Sequence, residues 1–311
     1  MRVLIVGAGA LGGYFGGRLL EAGRDVRFLV RAGRAAQLAR HGLRIESPRG
    51  NVTLAAPTVT TDAIDGPADL ILMAVKAYQL DAAMADVAPA VGADTVVIPV
   101  LNGLRHIDIL AARLGAGRVL GGVANIPATL GAEGQVIHLA PQHDLTFGET
   151  GGGISDRVRA IAALAEGANF GAHMSEDILQ SLWEKWSMLA TNAGMTCLMR
   201  AAIGDIVASP GGEATVLAML AECCAVAAAE GHAPRPAFLE GIRKTLTMPG
   251  STLTASMLRD IERGAPTEGE HVVGDMVARA ERHGIATPLI RLARCHVAAY
   301  AARKAREQGA G

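Results

Sequence analysis

The first hundred residues alternate between two kinds of apolar pattern. "RVLIV", "DVRFLV", "DLILMAV" and "TVVIPV" are short runs rich in branched side chains, of the length a strand needs when both of its faces are covered. Between them stand segments whose apolar positions recur at helical spacing: "ALGGYFGGRLLEAG", closing on Gly23, "GRAAQLARHG", closing on Gly42, and "YQLDAAMADVAPAVG". Strands that alternate with helices predict a parallel sheet joined by right-handed crossovers. The stretch 43–61 breaks the alternation and reads as a hairpin that turns at "PRGN".

"VLGGVANI", "GQVIHLA" and "DLTFGE" carry the strand pattern onward, and a helix is predicted over about 154–166. Strand signals then nearly stop. From about residue 175 the chain reads as helices: "EDILQSLWEKWSMLATNAGMTCLM", "EATVLAMLAECCAVAAAE", "RPAFLEGIRKTL", "TEGEHVVGDMVARAERHG" and "PLIRLARCHVAAYAARKA", with Pro249, Pro266 and Pro288 where helices start or stop. The pattern predicts an α/β fold class: a Rossmann-type, mainly parallel sheet domain over 1–173, followed by an all-helical domain over 174–311. A ligand cleft is expected between the two. The tail beyond Ala305 is expected to fray.

Composition narrows the choice of ligand. Half of the 311 residues are hydrophobic, and 29 basic against 30 acidic residues leave a net charge of -1, which gives nucleic acid or an anionic membrane nothing to recognise. The most apolar helical segment, 214–229, carries Glu222, and "MRVLIV" is shorter than the core of a signal peptide, so no membrane span or leader is expected. Cys197, Cys223, Cys224 and Cys295 show no CxxC spacing; they fit a reducing cytoplasm, with the thiols buried as small hydrophobes. His138 and His143 lie near Asp144 without a third ligand at metal spacing, and no G-x-S-x-G elbow is present. Only four basic residues are lysine: Lys76, Lys185, Lys244 and Lys304. Lysine, unlike arginine, can give up a proton near neutral pH when its environment is tuned.

The candidate chemistry begins at "VGAGALGG". Gly7, Gly9 and Gly12 follow a strand and open a helix, the context in which Gly7, Ala8, Gly9, Ala10, Leu11 and Gly12 would wrap the pyrophosphate of a dinucleotide. Gly13, Gly16 and Gly17 read instead as a helix-on-sheet packing surface. The second strand ends in "FLVR". Where an acid would bind the ribose 2'-hydroxyl of NAD stands Arg31, suited to the 2'-phosphate of NADP, with Arg34 able to assist; the plain alternative is a solvated arginine pair. Lys76 in "AVKAYQ" and Asn102 in "PVLNG" close the third and fourth strands, at the edge where open α/β sheets bind ligands.

Five pieces in order resemble the ketopantoate reductase (2-dehydropantoate 2-reductase) family: "GAGALGG", "VKAYQ" with "LNG", "LWEKW", "SMLRDIERGAPTE" and "HGIATP". The resemblance covers nearly the whole chain. It implies NADPH-dependent reduction of a 2-oxo acid to a 2-hydroxy acid, with ketopantoate to pantoate, a step of pantothenate biosynthesis, as the leading reaction. It also implies a small-molecule partner and a cytoplasmic enzyme able to form a homodimer. Lys185 matches the family's proton donor, Glu268 a glutamate beside nicotinamide and substrate, and Ser256 a serine that binds the substrate carboxylate. Lys76 and Asn102 match residues lining cofactor and substrate. Four positions depart from the pattern: Leu189, Ala193, Ile203 and Leu253 stand where the family carries asparagine. Thr191 and Asn192 are read as lying on other helix faces. A pocket that loses amide partners favours a more apolar 2-oxo acid. The rival classes are a non-catalytic NADPH-binding regulator and a dehydrogenase of a polyol phosphate or opine.

Overall fold

The computed structural model describes residues 1–309. The chain forms two compact units, Met1–Leu101 with His106–Leu179, and Asn102–Arg105 with Gln180 onward. In the first unit the strands are β1 Val3–Val6, β2 Val26–Leu29, β3 Leu43–Glu46, β4 Val52–Leu54, β5 Thr58–Val59, β6 Leu70–Met73, β7 Val96–Pro99, β8 Leu120–Asn125, β9 Ala128–Leu130, β10 Val136–His138, β11 Asp144–Glu149 and β12 Gly171–Met174. Its helices are α1 Ala10–Glu21, α2 Ala32–His41, α3 Leu80–Val87, α4 Arg105–Leu114 and α5 Asp156–Ala165.

The main sheet runs β5-β2-β1-β6-β7, all parallel, with Ile5 opposite Phe28 on one side and Leu72 on the other. All four residues of β1, of β6 and of β7 are buried, the signature of strands covered on both faces. A second sheet has the order β4-β3-β10-β9 and a third β12-β11-β8; one parallel bridge, Val97 to Val119, links β7 to the segment entering β8.

Helix α1 is held between the first two sheets. Gly16 faces the main sheet, where an added Cβ would lie 2.7 Å from Ile5 and 2.8 Å from Phe28. Gly13 and Gly17, one turn apart on the other side, face the second sheet, with Val136 at 2.8 Å and Ile45 at 2.7 Å. Glycine on both sides lets the helix axis approach two sheets at once.

Two expectations change here. The stretch 43–61 is a hairpin only as far as Leu54; Thr58–Val59 then leaves it and pairs parallel with Phe28 and Leu29, because the edge of β2 offers free ladder positions to an extended chain. Strand signals also do not stop at 166, for Gly171–Met174 pairs parallel with Asp144–Phe147. "GAHM" carries little β-propensity, so its ladder partner rather than its own side chains makes it a strand.

The second unit is built from α6 Ile178–Met199, α7 Ile203–Ala208, α8 Gly212–Ala229, α9 Pro236–Leu246, α10 Ser256–Glu262, α11 Asp275–Arg282 and α12 Pro288–Gly309. Pro236 and Pro288 occupy first-turn positions, where a missing N–H costs nothing. Residues 267–284, read as one helix, are instead interrupted by a π-helical turn, Glu270–Gly274. The tail correction is similar: α12 continues past Ala305 to Gly309, and residues 310 and 311 lie outside the described residues. Among the described residues one helix, α8, is long and apolar enough to cross a membrane. Its carboxylate has a packing role, since Glu222 accepts the N–H groups of Leu289 and Ile290 at 3.0 Å each and so caps α12. Cys197 and Cys223 are buried as expected; Cys295, on α12, is exposed and corrects the expectation for that thiol.

Gly16→Val should destabilise the first unit by about 1–3 kcal/mol through overpacking against Ile5 and Phe28. Gly33→Ala, in exposed α2 with open space around it, should be neutral or stabilise by up to about 1 kcal/mol. Urea unfolding of both variants measures the contrast.

Candidate functional site

In the first unit the glycine loop lies at the end of β1, the point where strand order reverses: β2 lies on one side and β6 on the other. Gly7 adopts φ +94°, a left-handed conformation that side chains avoid, and a Cβ there would press on the Ala74 carbonyl at 3.1 Å. A Cβ on Gly12 would run into the carbonyl of Gly7, so the third glycine lets α1 start directly against the loop. Gly9 caps α1 and has no atom within 4 Å of its Cβ position, so this part of the loop is open to an approaching ligand.

A cavity of about 850 Å³ opens at this edge. Gly7, Ala8, Gly9 and Arg31 line it, with Arg34 and Gln37 from α2, Thr60–Asp62 after β5, Val75 and Gln79 after β6, and Leu130, Gly131, Ala132 and Gly134 at the end of β9 and beyond. The size and the glycine-lined floor fit an extended dinucleotide. Ala10, Leu11 and Gly12 form the first turn of α1 behind that floor and do not line the cavity wall. Lys76 stands next to the wall rather than in it: its N–H is 3.3 Å from Gln79 Oε1, while the neighbours Val75 and Gln79 face the cavity.

Arg34 plays a different part from the one its position suggests. Its Nε and Nη2 donate to the Ala8 carbonyl at 3.1 and 2.9 Å, and its Nη1 to Gln37 Oε1 at 2.5 Å, so it braces the glycine loop. Gln37 in turn donates to the Glu133 carbonyl at 2.7 Å and ties in the loop after β9. Arg31, exposed at the N-cap of α2, lines the same cavity. Thr60–Asp62 and the group Leu130, Gly131, Ala132 and Gly134 were missed from sequence. The first would have followed from reading β5 as a parallel strand, whose carboxyl end must face the same edge; the second leaves no local signal.

His138 and His143 are not a ligand pair. His138 bonds to Ser47 Oγ and the Gln142 carbonyl at 2.8 Å each, and His143 to the Tyr14 hydroxyl at 2.8 Å, the rings stacking at 5.7 Å.

In the second unit Lys185 lies on α6 between Trp183 and Trp186. The buried Arg279 guanidinium lies 5.4 and 5.6 Å from the two indole rings and pairs with Asp275 at 3.0 Å and Glu230 at 2.9 Å. On the other side Glu184 accepts from Arg235 Nε at 2.8 Å and from its backbone N–H at 2.9 Å. These contacts fix the rotation of α6 about its axis and hence the direction of Lys185.

The Lys185 residue keeps some exposed surface along its length, while its ammonium end is enclosed. Enclosure disfavours the charge and brings the amine down to about 8; the Glu268 carboxylate opposes that shift and holds it up. Glu268 is buried at 7% exposure. Trp186 Nε1 donates to the Val272 carbonyl at 2.9 Å, tying the turn that follows Glu268 to the helix that carries Lys185. That turn is π-helical, and its widened register is a common device at functional sites.

Asn102 belongs to this unit as well. Burial holds His271, in the π-helical turn, below the usual histidine range; the carboxylates of Glu268 and Asp275 and the bond from its ring to the backbone carbonyl of Asn102 oppose that shift. Gly103, at φ +81°, leaves room for this ring: a Cβ there would lie 3.2 Å from His271 Cδ2 and 3.1 Å from its carbonyl oxygen. Lys185, Glu268, His271 and Asn102 are thus brought together, and His271 had no sequence signal.

Ser256 begins α10, where the N–H of the preceding Ala255 reaches Thr196 Oγ1 at 3.4 Å. It therefore meets α6 about three turns beyond Lys185. Of the four apolar replacements, Ile203 and Ala193 are fully buried and Leu189 and Leu253 partly so; the Ile203 N–H donates to the Leu253 carbonyl at 3.0 Å.

Comparison with known proteins bears on the fold and the family. The family described as ketopantoate reductase PanE/ApbA matches residues 3–152, and its C-terminal part matches residues 177–301. The oxidoreductase YkpB of Bacillus subtilis is 37% identical over 304 residues, covering 98% of this chain and 100% of its own. The 2-dehydropantoate 2-reductase of Halobacterium salinarum is 31% identical over 301 residues, 94% and 96% of the two chains. Among solved structures, a PanE/ApbA family ketopantoate reductase from Ralstonia eutropha superposes with a TM-score of 0.88 at 25% identity, covering 98% of this chain and 99% of its own. A D-mandelate dehydrogenase in complex with NADH does so at 0.84 and 25%, covering 96% and 98%. The chain carries a parallel α/β unit followed by helices, matches both family models in that order, and belongs to the ketopantoate reductase family of oxidoreductases.

Proposed function

We propose that this protein is an NADPH-dependent reductase of a 2-oxo acid, with Lys185 as the proton donor. The observation that carries the reading is an enclosed amine brought to about 8 beside a buried carboxylate, a poise that surface lysines lack. The residues at the sheet edge fit a nicotinamide dinucleotide: Gly7, Ala8 and Gly9, with the first-turn amides of α1, would hold its pyrophosphate, and Arg31 the 2'-phosphate of NADP. When bound, the reduced nicotinamide supplies the hydride that converts the carbonyl carbon to C–H.

The chain's own groups handle the charge that appears on oxygen. The Lys185 ammonium stabilises the developing alkoxide and transfers its proton to it, so the hydroxyl forms without free acid. Glu268 keeps that amine charged between turnovers. Ser256 would receive the substrate carboxylate through its hydroxyl, and Asn102 would orient the reacting carbonyl, with Lys76 flanking the cofactor. Ketopantoate is the leading substrate on family grounds. A more apolar 2-oxo acid is the second reading, favoured by Leu189, Ala193, Ile203 and Leu253 in place of amides.

The decisive assay follows NADPH absorbance against a panel of 2-oxo acids that includes ketopantoate. Turnover of at least one is expected; silence across the panel with tight NADPH binding would turn the assignment to a regulator. Lys185→Ala should lower kcat at least about a hundredfold with little change in NADPH affinity, measured by fluorescence. Arg31→Ala should weaken NADPH about ten- to hundredfold and NADH much less. Because the donor must be protonated, the rate of reduction should be level below about pH 8 and fall above it. Glu268→Gln removes the charge that holds Lys185 up, so the break should move to lower pH.

A further inference from the structure

Asn102–Arg105 forms part of the second unit, although the residues before and after it belong to the first. Asn102 and Gly103 lie in neither helix nor strand; Gly103 and Leu104 are buried, while Asn102 keeps exposed surface. Backbone outside regular structure is held by whatever partners its own polar groups find. The Asn102 carbonyl finds its partner in the ring of His271.

His271 is itself firmly anchored. Its N–H donates to the Glu268 carbonyl at 3.0 Å, the next N–H, of Val272, reaches the same oxygen at 2.9 Å, and the Val272 carbonyl accepts from Trp186. Gly269 lets this turn lie close to α12, since a Cβ there would be 2.7 Å from Val297. Burial, joined by the Arg105 charge, keeps the ring neutral at pH 7 against the pull of the Glu268 and Asp275 carboxylates. A neutral imidazole has one N–H, and donating it to Asn102 fixes both the tautomer and the ring plane. On the facing side Gly103 combines a left-handed backbone with the room the ring needs, because a Cβ would lie 3.2 Å from Cδ2.

We propose that His271 is a positioning residue: its single ring N–H, donated to the Asn102 carbonyl across the space left by Gly103, sets the direction of the Asn102 carboxamide relative to Lys185 and Glu268. The proposal rests on the 2-oxo acid reductase reading above and deepens it. His271 acts through Asn102 and not on the substrate itself. Glu268 shares its turn and Trp186 ties that turn to α6, so the amine, its carboxylate and the orienting amide are all referred to one short segment.

The experiment measures kcat and KM for the best 2-oxo acid of the panel, NADPH affinity by fluorescence, and amide hydrogen exchange of the ligand-free protein. His271→Leu removes the donor at similar size, while His271→Asn and His271→Gln each place an uncharged N–H near one of the two ring-nitrogen positions. His271→Leu should lower kcat at least about tenfold and change NADPH affinity less than about threefold. The Gly103 and Leu104 amides should exchange about tenfold faster in that variant, and one of the two amide variants should recover most of both losses. Gly103→Ala should reproduce the kcat loss, and combined with His271→Leu it should cost less than the product of the single effects, because both break one contact. Equal kcat losses in the leucine, asparagine and glutamine variants, or fully multiplicative losses in the double variant, would overturn the proposal; if His271→Leu does not fold, Gly103→Ala against the better amide variant decides it by the same readouts. If the wild type reduces no 2-oxo acid, the reductase reading fails separately, and amide exchange alone judges His271: unchanged protection of Gly103 and Leu104 in His271→Leu refutes its hold on Asn102.

Discussion

The first unit depends on how closely α1 can approach two sheets. The helix follows β1 with only Gly7, Ala8 and Gly9 between them, and its first turns are pressed against the Gly7 carbonyl, against Ile5 and Phe28, and against Val136 and Ile45. Side chains at Gly12, Gly13, Gly16 and Gly17 would hold the sheets apart. Their absence lets the amides of the first turn face the reversal of strand order, the one place along a parallel sheet where backbone leaves room for an anion. Packing and the candidate cofactor site are therefore the same constraint seen from two sides.

The second unit solves a different problem: holding an amine where its charge is costly. Trp183 and Trp186 flank Lys185 and are covered by Arg279, whose own charge is met by Asp275 and Glu230. A helix locked in this way cannot rotate to return its lysine to water. The π-helical turn adds a second fixed point, since Trp186 bonds to Val272 while His271 in the same turn holds the backbone of Asn102. One short irregular segment thus registers the groups on which the proposed proton transfer depends.

Local periodicity determined much of this protein. The branched apolar runs of β1, β2, β6 and β7, the glycines at the strand-to-helix turn and the apolar spacing of α6, α8 and α12 each specify their element within a few residues, because both faces of a central strand and one stripe of a core helix must be buried whatever the neighbours are. Only tertiary structure decided the rest. Thr58–Val59 and Gly171–Met174 become strands because a ladder edge is beside them, Arg34 in the cavity wall binds Ala8 because that carbonyl is within reach, and His271 meets Asn102 across a gap of 169 positions that leaves no trace in either neighbourhood. Pairing and burial are properties of the folded arrangement, and a side chain's protonation and partners follow from them rather than from its neighbours in the chain.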